Sequence, residues 1–366
     1  MLESAPIPVI DLSASEADQP LVAKELVDAA AKYGFVYIRN TGHDVSYSQV
    51  EEAFSISRNL FDSPLEDKQR CKIGMNDQGW SGMQTEKLDP ETQKVGDLKE
   101  GFNFGPFKNG RSSQPIPHGV EPHKATIAAF QSSCHDLCRK LLLLFGVGLG
   151  VDPPDFFHAV HSPDSPSGTI LRFLHYPPAN LSPSPQMADI RAGAHSDYGS
   201  LTLLFRIKGQ AGLEILTPEN KWAPVPVCPP GTENDPSPPI LVNIGDLLSY
   251  WTNGLLRSTV HRVTFAGPGD TAGLVEGEST TEPRYSIVYF CHPADDTPLT
   301  AVPSERVHNF QDGRANAKTG NPYAERKVLT ANEHLQMRLQ ASYPEMYSQS
   351  EKKKKPYLTN CAKKPT

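Results

Sequence analysis

Two histidines and a carboxylate could bind one divalent metal in this chain. In Arg191-Ala192-Gly193-Ala194-His195-Ser196-Asp197-Tyr198-Gly199-Ser200, His195 and Asp197 stand two positions apart. On an extended backbone residues i and i+2 point to the same side, so an imidazole nitrogen and a carboxylate oxygen can meet at one point. The best third ligand is His261, in the β-branched run Arg257-Ser258-Thr259-Val260-His261-Arg262-Val263. Two histidines and one carboxylate on a single face of an octahedron leave three positions open, which suits oxygen chemistry at non-haem iron(II). A bare His-x-Asp is common in surface turns, but this one is flanked by glycines and leads into the apolar run Leu201-Thr202-Leu203-Leu204-Phe205. The other histidines lack that company. His43, His118, His123, His158 and His161 read as loop or surface residues, and His135 and His334 as helix residues with packing or surface roles. His292, beside Pro293 at a strand end, could line a pocket.

A second constellation follows on the next strand, where Arg284-Tyr285-Ser286 opens Ile287-Val288-Tyr289-Phe290. Arg284 and Ser286 share a face. A guanidinium can grip a carboxylate through two parallel hydrogen bonds, and a neighbouring hydroxyl adds a third. That is the chemistry needed for the distal carboxylate of 2-oxoglutarate, whose keto-acid end would chelate the metal.

The elements that must position these groups are legible in outline. Residues 6–12 and 35–38 read as strands, 21–33 and roughly 46–61 as helices, and 123–150 as a long amphipathic helix. Residues 72–120, rich in Gly, Asp, Asn and Pro, read as a long irregular segment that closes over the site. From 168 to 293 short β-rich runs (168–174, 200–207, 212–216, 222–227, 239–244, 258–265 and 284–291) alternate with Gly/Pro/Asn clusters, as in an all-β sandwich or barrel. Two insertions, 228–239 and 266–283, interrupt it, and residues 322–343 read as a final helix. The expected organisation is one catalytic domain: a helical and mixed region over 1–150, a β core over 151–300, a C-terminal helix within 301–343 and a polar tail over 344–366.

Composition narrows the function classes. The chain of 366 residues has a net charge of -7 and no basic block in its body, which argues against nucleic acid. Lys352-Lys353-Lys354-Lys355 reads as part of a solvated tail. No apolar stretch suits a membrane span, and the first residues lack a secretory pattern. The six scattered cysteines include no Cys-x-x-Cys pair and suit reduced thiols. The expectation is a cytoplasmic enzyme, monomeric or a weak homodimer, acting on a small molecule.

Several segments together resemble the isopenicillin N synthase-like branch of the 2-oxoglutarate/iron(II)-dependent dioxygenases. They are Gly-x-His-x-Asp-Tyr-Gly-Ser-Leu-Thr-Leu-Leu-Phe (193–205), Val-Asn-Ile-Gly-Asp-Leu-Leu (242–248), Trp-Thr-Asn-Gly (251–254), Ser-Thr-Val-His-Arg-Val (258–263) and Arg-Tyr-Ser-Ile-Val-Tyr-Phe (284–290). Pro-Val-Ile-Asp-Leu and Gly-Phe-Val-Tyr-Ile extend the likeness to roughly 6–343, and Leu-Arg-Phe-Leu-His-Tyr-Pro-Pro (171–178) is most similar to fungal thymine 7-hydroxylase-like enzymes. The resemblance implies a distorted double-stranded β-helix (jelly roll) with helices around it. It implies His195, Asp197 and His261 as iron ligands, Arg284 and Ser286 as the clamp on 2-oxoglutarate, and Tyr176 as a hydrogen-bond partner at the co-substrate's other end. Many plant members carry Asn two positions before that tyrosine; here Leu174 stands there. The spans 198–260 and 262–283 are also long for the branch, and the excess falls in the two insertions.

The implied reaction is hydroxylation, or desaturation, of a small organic molecule with release of succinate and carbon dioxide. Iron(II), 2-oxoglutarate and dioxygen are needed, and ascorbate is expected to help in vitro. Trp80, Phe102, Phe104 and Phe290 are candidates to stack on the substrate, and Lys99 and Glu100 to hydrogen-bond it. A pyrimidine, another heterocycle or a fungal secondary-metabolite intermediate would suit such a set. The alternatives are an iron oxidase on the same scaffold that does not use 2-oxoglutarate, a zinc hydrolase, and a non-catalytic small-molecule binding protein. A zinc hydrolase would leave Arg284-x-Ser286 without a role, and a non-catalytic protein would be expected to show a damaged triad.

Overall fold

The computed structural model describes residues 4–342 apart from 14, 16–17, 90–92, 94, 109, 179–189, 265–282 and 311–327. The insertion expected at 266–283 and the tail at 344–366 therefore lie almost wholly outside the described residues. In chain order the strands are β1 (Val9–Ile10), β2 (Phe35–Ile38), β3 (Gly79–Ser81), β4 (Glu100–Phe104), β5 (Ile170–Tyr176), β6 (Ile190–His195), β7 (Leu201–Arg206), β8 (Leu213–Leu216), β9 (Trp222–Pro224), β10 (Ile240–Ile244), β11 (His261–Thr264) and β12 (Arg284–Cys291). The helices are α1 (Gln19–Tyr33), α2 (Tyr47–Phe61), α3 (Leu65–Arg70), α4 (Lys124–Leu149), α5 (Phe156–Ala159), α6 (Asp246–Trp251), α7 (Glu305–His308) and α8 (Ala331–Ser342).

Eight strands form one sheet in the order β1-β2-β10-β7-β12-β5-β4-β3, and a smaller sheet runs β6-β11-β8-β9. The central strands are largely buried on both faces and read as near-continuous apolar runs. In β5 the alternation is clean. Leu171 and Phe173 belong to the core between the large sheet and the helices, while Leu174 and Tyr176 belong to a second core between the sheets. The architecture is the distorted double-stranded β-helix, with α1, α2 and α4 packed on its outer face.

Gly34 shows how a helix outside this core fixes a strand inside it. It ends α1 at a φ of 70°, a left-handed conformation that glycine adopts without strain. A Cβ there would lie 2.3 Å from the carbonyl oxygen of Arg257 and 2.3 Å from Thr259 Oγ1. Thr259 Oγ1 donates to Tyr33 O at 2.7 Å, and Arg257 N donates to Ala30 O at 3.1 Å. The end of α1 thus holds the segment that leads into His261.

The segment 72–120 departs from the irregular reading. It contains β3 and β4, which extend the large sheet beyond β5 through the pairs Phe102↔Phe173 and Trp80↔Phe102. Short length and Gly- and Asp-rich flanks hid them. Phe102 and Phe104 are correspondingly not substrate contacts. Both are fully buried, with ring centroids 4.5 Å apart, and Phe104 meets Phe173 at 5.2 Å. Phe104→Ala is expected to cost about 3–5 kcal/mol of stability, measured by denaturant unfolding. A loss near zero would contradict this packing role.

Candidate metal and co-substrate site

β6 and β11 pair antiparallel with His195 directly opposite His261, which brings the two imidazole centroids to 4.3 Å. The chain then turns at 196–200, and Asp197 points back toward both rings. Its Oδ1 lies 3.8 Å from His195 Nε2 and 3.7 Å from His261 Nε2. One ligand atom from each residue falls within 4.8 Å of the others, the spacing of donors around a single ion.

Hydrogen bonds behind these atoms prepare them as donors. His195 Nδ1 lies 2.8 Å from Gly193 O, and His261 Nδ1 lies 3.1 Å from Thr259 O. A carbonyl oxygen can only accept, so each Nδ1 carries the proton and each Nε2 lone pair faces the common point. Asp197 Oδ2 accepts from Thr202 Oγ1 and from Asn243 Nδ2, both at 2.7 Å, which leaves Oδ1 for a metal. Thr202 is on β7 and Asn243 on the neighbouring β10, so the large sheet orients the carboxylate. Burial, then the facing His261, lowers the pKa of His195 to about 4, which keeps it neutral near pH 7. Burial alone would raise Asp197, but His261, His195 and the Asn243 and Thr202 hydrogen bonds outweigh it and hold the carboxyl low. Two imidazoles that present Nε2 and a carboxylate that presents Oδ1, each backed by fixed partners, fit an iron(II) ion.

A chamber of about 70 Å³ is lined by His195, Asp197 and His261 together with Arg284, Ser286 and Tyr176. Arg284 is 2% exposed, and its Nε has no hydrogen-bond partner. Its Nη1 is 3.4 Å from Ser286 Oγ, and its guanidinium stands 4.9 Å from the Tyr176 ring. Among the described residues no carboxylate lies within ion-pair distance of it. Burial lowers its pKa, and Arg206 adds repulsion. Arg191 is lowered to about 9 by burial and by Arg284. A buried cation without an anion is costly to fold around, and Arg284 lines the chamber where a carboxylate could pair with it. Tyr176 pairs across strands with Arg284, and its ring stands beside that guanidinium.

A wider outer chamber of about 260 Å³ shares His195, Asp197, Arg172, Leu88 and Phe290 with the inner one. Asp77, Glu86, His292 and Asp295 also line it, and α8 contributes Asn332, Leu335, Gln336 and Leu339. Phe290 therefore faces both chambers. Lys99 lines the inner chamber and is held by Asp97 at 2.6 Å and Glu86 at 2.8 Å. Trp80 and Glu100 are elsewhere: Trp80 Nε1 donates to Glu100 Oε1 at 2.6 Å, Glu100 pairs with Lys68 at 2.7 Å, and all three border a separate surface cavity. Arg172 was not singled out from the sequence. It donates from Nε to Asn103 Oδ1 at 2.6 Å and stands 5.5 Å from the Phe290 ring. The available signal was its position four residues before Tyr176, on the same face of β5.

The surface reading of His161 also fails. It is fully buried, with Nδ1 2.6 Å from Phe157 O and Nε2 2.9 Å from Ser200 Oγ, and it supports the turn behind Asp197. Burial pushes its pKa to about 3. His292, by contrast, does line a chamber.

A double-stranded β-helix with two histidines and an aspartate at one end, opening on a buried arginine, defines a class of mononuclear metal oxygenases. Comparison with known proteins agrees. Residues 7–123 match the family described as non-haem dioxygenase in morphine synthesis N-terminal, and residues 167–293 match the 2OG-Fe(II) oxygenase superfamily. UPF0676 protein C1494.01 of Schizosaccharomyces pombe is 38% identical over 311 residues, 83% of this chain and 87% of that one. The 2-oxoglutarate-dependent dioxygenase frbA of a Dothideomycetidae species is 30% identical over 78% of this chain and 84% of its own length. Among solved structures, thymine 7-hydroxylase of Neurospora crassa, in complex with α-ketoglutarate and thymine, superposes with a TM-score of 0.70. It is 27% identical, over 92% of this chain and 96% of that one. The chain belongs to the 2OG-Fe(II) oxygenase superfamily and is a 2-oxoglutarate-dependent dioxygenase. No helix among the described residues is long and apolar enough to cross a membrane.

Proposed function

We propose that His195, Asp197 and His261 hold iron(II), that Arg284, Ser286 and Tyr176 hold the distal carboxylate of 2-oxoglutarate in the inner chamber, and that the outer chamber presents a small nitrogen heterocycle for hydroxylation. The observation that carries this reading is the buried Arg284, with no carboxylate within ion-pair distance among the described residues, in the same cavity as His195, Asp197 and His261. Iron(II) bound there would supply oxygen activation and C–H oxidation, with succinate and carbon dioxide formed from the co-substrate.

The protein's own contribution is orientation and exclusion of water. Thr202 and Asn243 hold Asp197 so that one oxygen faces the metal. Arg284 fixes the far end of the dicarboxylate, which sets where its keto-acid end reaches the ligands. The apolar walls, among them Leu174, Leu204 and Val288, keep the inner chamber dry.

The substrate class is argued from charge and shape. Asp77, Glu86 and Asp295 face the outer chamber, where Arg172, itself 3.3 Å from Glu86, is the one Lys or Arg among the described residues that line it. Burial raises Asp77 to about 6, so it is ionised at neutral pH and accepts hydrogen bonds. Such a wall favours N–H donors and disfavours carboxylates. Phe290 offers a ring face at the metal end for a planar substrate. The neighbour solved with thymine carries a ligand of that class. A panel of pyrimidine bases, other N–H heterocycles and their carboxylated analogues, incubated with iron(II), ascorbate and 2-oxoglutarate, tests this. The uncharged heterocycles should stimulate succinate formation and gain one oxygen atom. Stimulation by the carboxylates alone would contradict the assignment.

A further inference from the structure

A charged cluster joins the segments around His195, Asp197 and His261 to α8. Asp246, the first residue of α6, is bound on both carboxylate oxygens. Its Oδ1 accepts from Ser258 Oγ at 2.6 Å. Its Oδ2 accepts from Ser196 Oγ at 3.0 Å and pairs with Arg338 Nη2 at 2.6 Å. Its backbone N donates to Asp197 O at 2.7 Å. Ser196 lies between His195 and Asp197, and Ser258 lies three residues before His261. One carboxylate therefore touches both segments that carry the three metal-facing side chains, which are far apart in the chain.

The third arm comes from α8. The helix begins with a reciprocal cap, in which Glu333 N donates to Thr330 Oγ1 at 3.2 Å and Thr330 N donates to Glu333 Oε2 at 2.9 Å. Its Asn332, Leu335, Gln336 and Leu339 form one wall of the outer chamber. Leu335 packs so closely on Gly168 that a Cβ there would meet it at 2.3 Å. Arg338, one turn further along, also donates to Ser196 Oγ at 3.3 Å and stands 5.2 Å from the Tyr198 ring. The helix that covers the substrate chamber is thus tied, through one guanidinium, to the carboxylate that joins the two ligand segments.

We propose that Asp246 is a positioning residue that sets the spacing between the two ligand segments, and that Arg338 is a latch coupling closure of α8 over the outer chamber to that spacing. The proposal rests on the reading of His195, Asp197 and His261 as the metal site and of the outer chamber as the substrate site. Its physical basis is linkage. The Arg338–Asp246 pair is partly exposed, with side chains 41% and 18% accessible, so as an isolated ion pair it adds little stability. Its effect lies in what it connects. If metal binding orders the Asp246 cluster and the cluster holds α8, then metal binding must protect α8, and loosening α8 must weaken metal binding by the same factor.

Manganese(II) titration and amide hydrogen exchange over 331–342 test this in the full chain, with 2-oxoglutarate present and oxygen absent. In the wild type, metal should slow exchange in α8. In Arg338→Ala, exchange should be faster and insensitive to metal, and manganese affinity should fall several-fold. Asp246→Asn should lose about tenfold or more in manganese affinity, in the range for partners behind metal ligands. Arg338→Lys, which keeps a cation, should restore part of the coupling. With a substrate found by the panel above, Arg338→Ala should raise KM more than it lowers kcat. Metal-insensitive exchange of α8 in the wild type, with manganese bound and lost in His261→Ala, would overturn the latch while leaving the metal site intact. Manganese binding that survives His261→Ala would overturn both. Equal exchange rates and equal manganese affinity in Arg338→Ala and wild type would also overturn the latch.

Discussion

Asp197→Ala is expected to abolish substrate oxidation and to lower iron(II) or manganese(II) affinity by more than about 10²-fold, the upper end of the cost seen for partners behind metal ligands. The loss has two parts. Oδ1 is the only anionic donor among the three ligand atoms, so its removal takes away the charge that holds a dication in a dry site. Removing the carboxylate also strands Thr202 and Asn243, which both donate to Oδ2 from buried positions. Asn243→Ala keeps Oδ1 and should cost less, about 10–100-fold in metal affinity. Metal titration of the purified variants, checked for intact folding, gives both numbers. An Asn243→Ala loss equal to or larger than that of Asp197→Ala would remove Asp197 from the ligand set.

Arg284→Ala is expected to lower 2-oxoglutarate affinity by about 10²-fold and to leave metal affinity within a few-fold of wild type. A hydrogen bond to a charged group contributes about 1.5–3 kcal/mol, and about 1.4 kcal/mol corresponds to tenfold in affinity. A paired guanidinium contact therefore corresponds to roughly 3 kcal/mol or about two decades. Arg284 is placed to give that full value, because it is buried and its Nε is not spent on the protein. Arg284→Lys should recover only part of the loss, since an ammonium offers no planar fork. Equal losses of metal and co-substrate affinity would show that Arg284 acts on the fold rather than on the dicarboxylate.

Much of this site was legible in the sequence because strand geometry maps spacing onto direction. Arg284 and Ser286 are two apart on β12 and share a face as the period of a strand requires, whereas β6 ends at His195 and Asp197 comes back to the same point through the turn that follows. The β-branched run around His261 marked it as a strand residue, and the pairing of β11 with β6 closed the triad. What could not be read was partnership across the fold. The apparent irregularity of 72–120 concealed β4, where Phe102 and Phe104 serve packing while their neighbour Lys99 faces the inner chamber. Glu100 looked like a substrate contact but is consumed by Lys68 and Trp80. Arg172 carried no signal of its own in the apolar run of β5, yet it lines both chambers. His161 looked like a loop or surface residue, because nothing local reveals that Ser200 Oγ lies 2.9 Å from its Nε2. In each case the deciding contact comes from an element distant in sequence.

The most direct measurement is an anaerobic calorimetric titration of the wild-type protein with 2-oxoglutarate, with and without bound iron(II), repeated on Arg284→Ala and His261→Ala. One co-substrate per chain should bind tightly only when the metal is present, with affinity reduced about 10²-fold in Arg284→Ala and metal-dependent binding lost in His261→Ala. Binding of equal strength with and without iron(II), or binding untouched by both substitutions, would contradict the assignment of this cavity as the shared metal and co-substrate site.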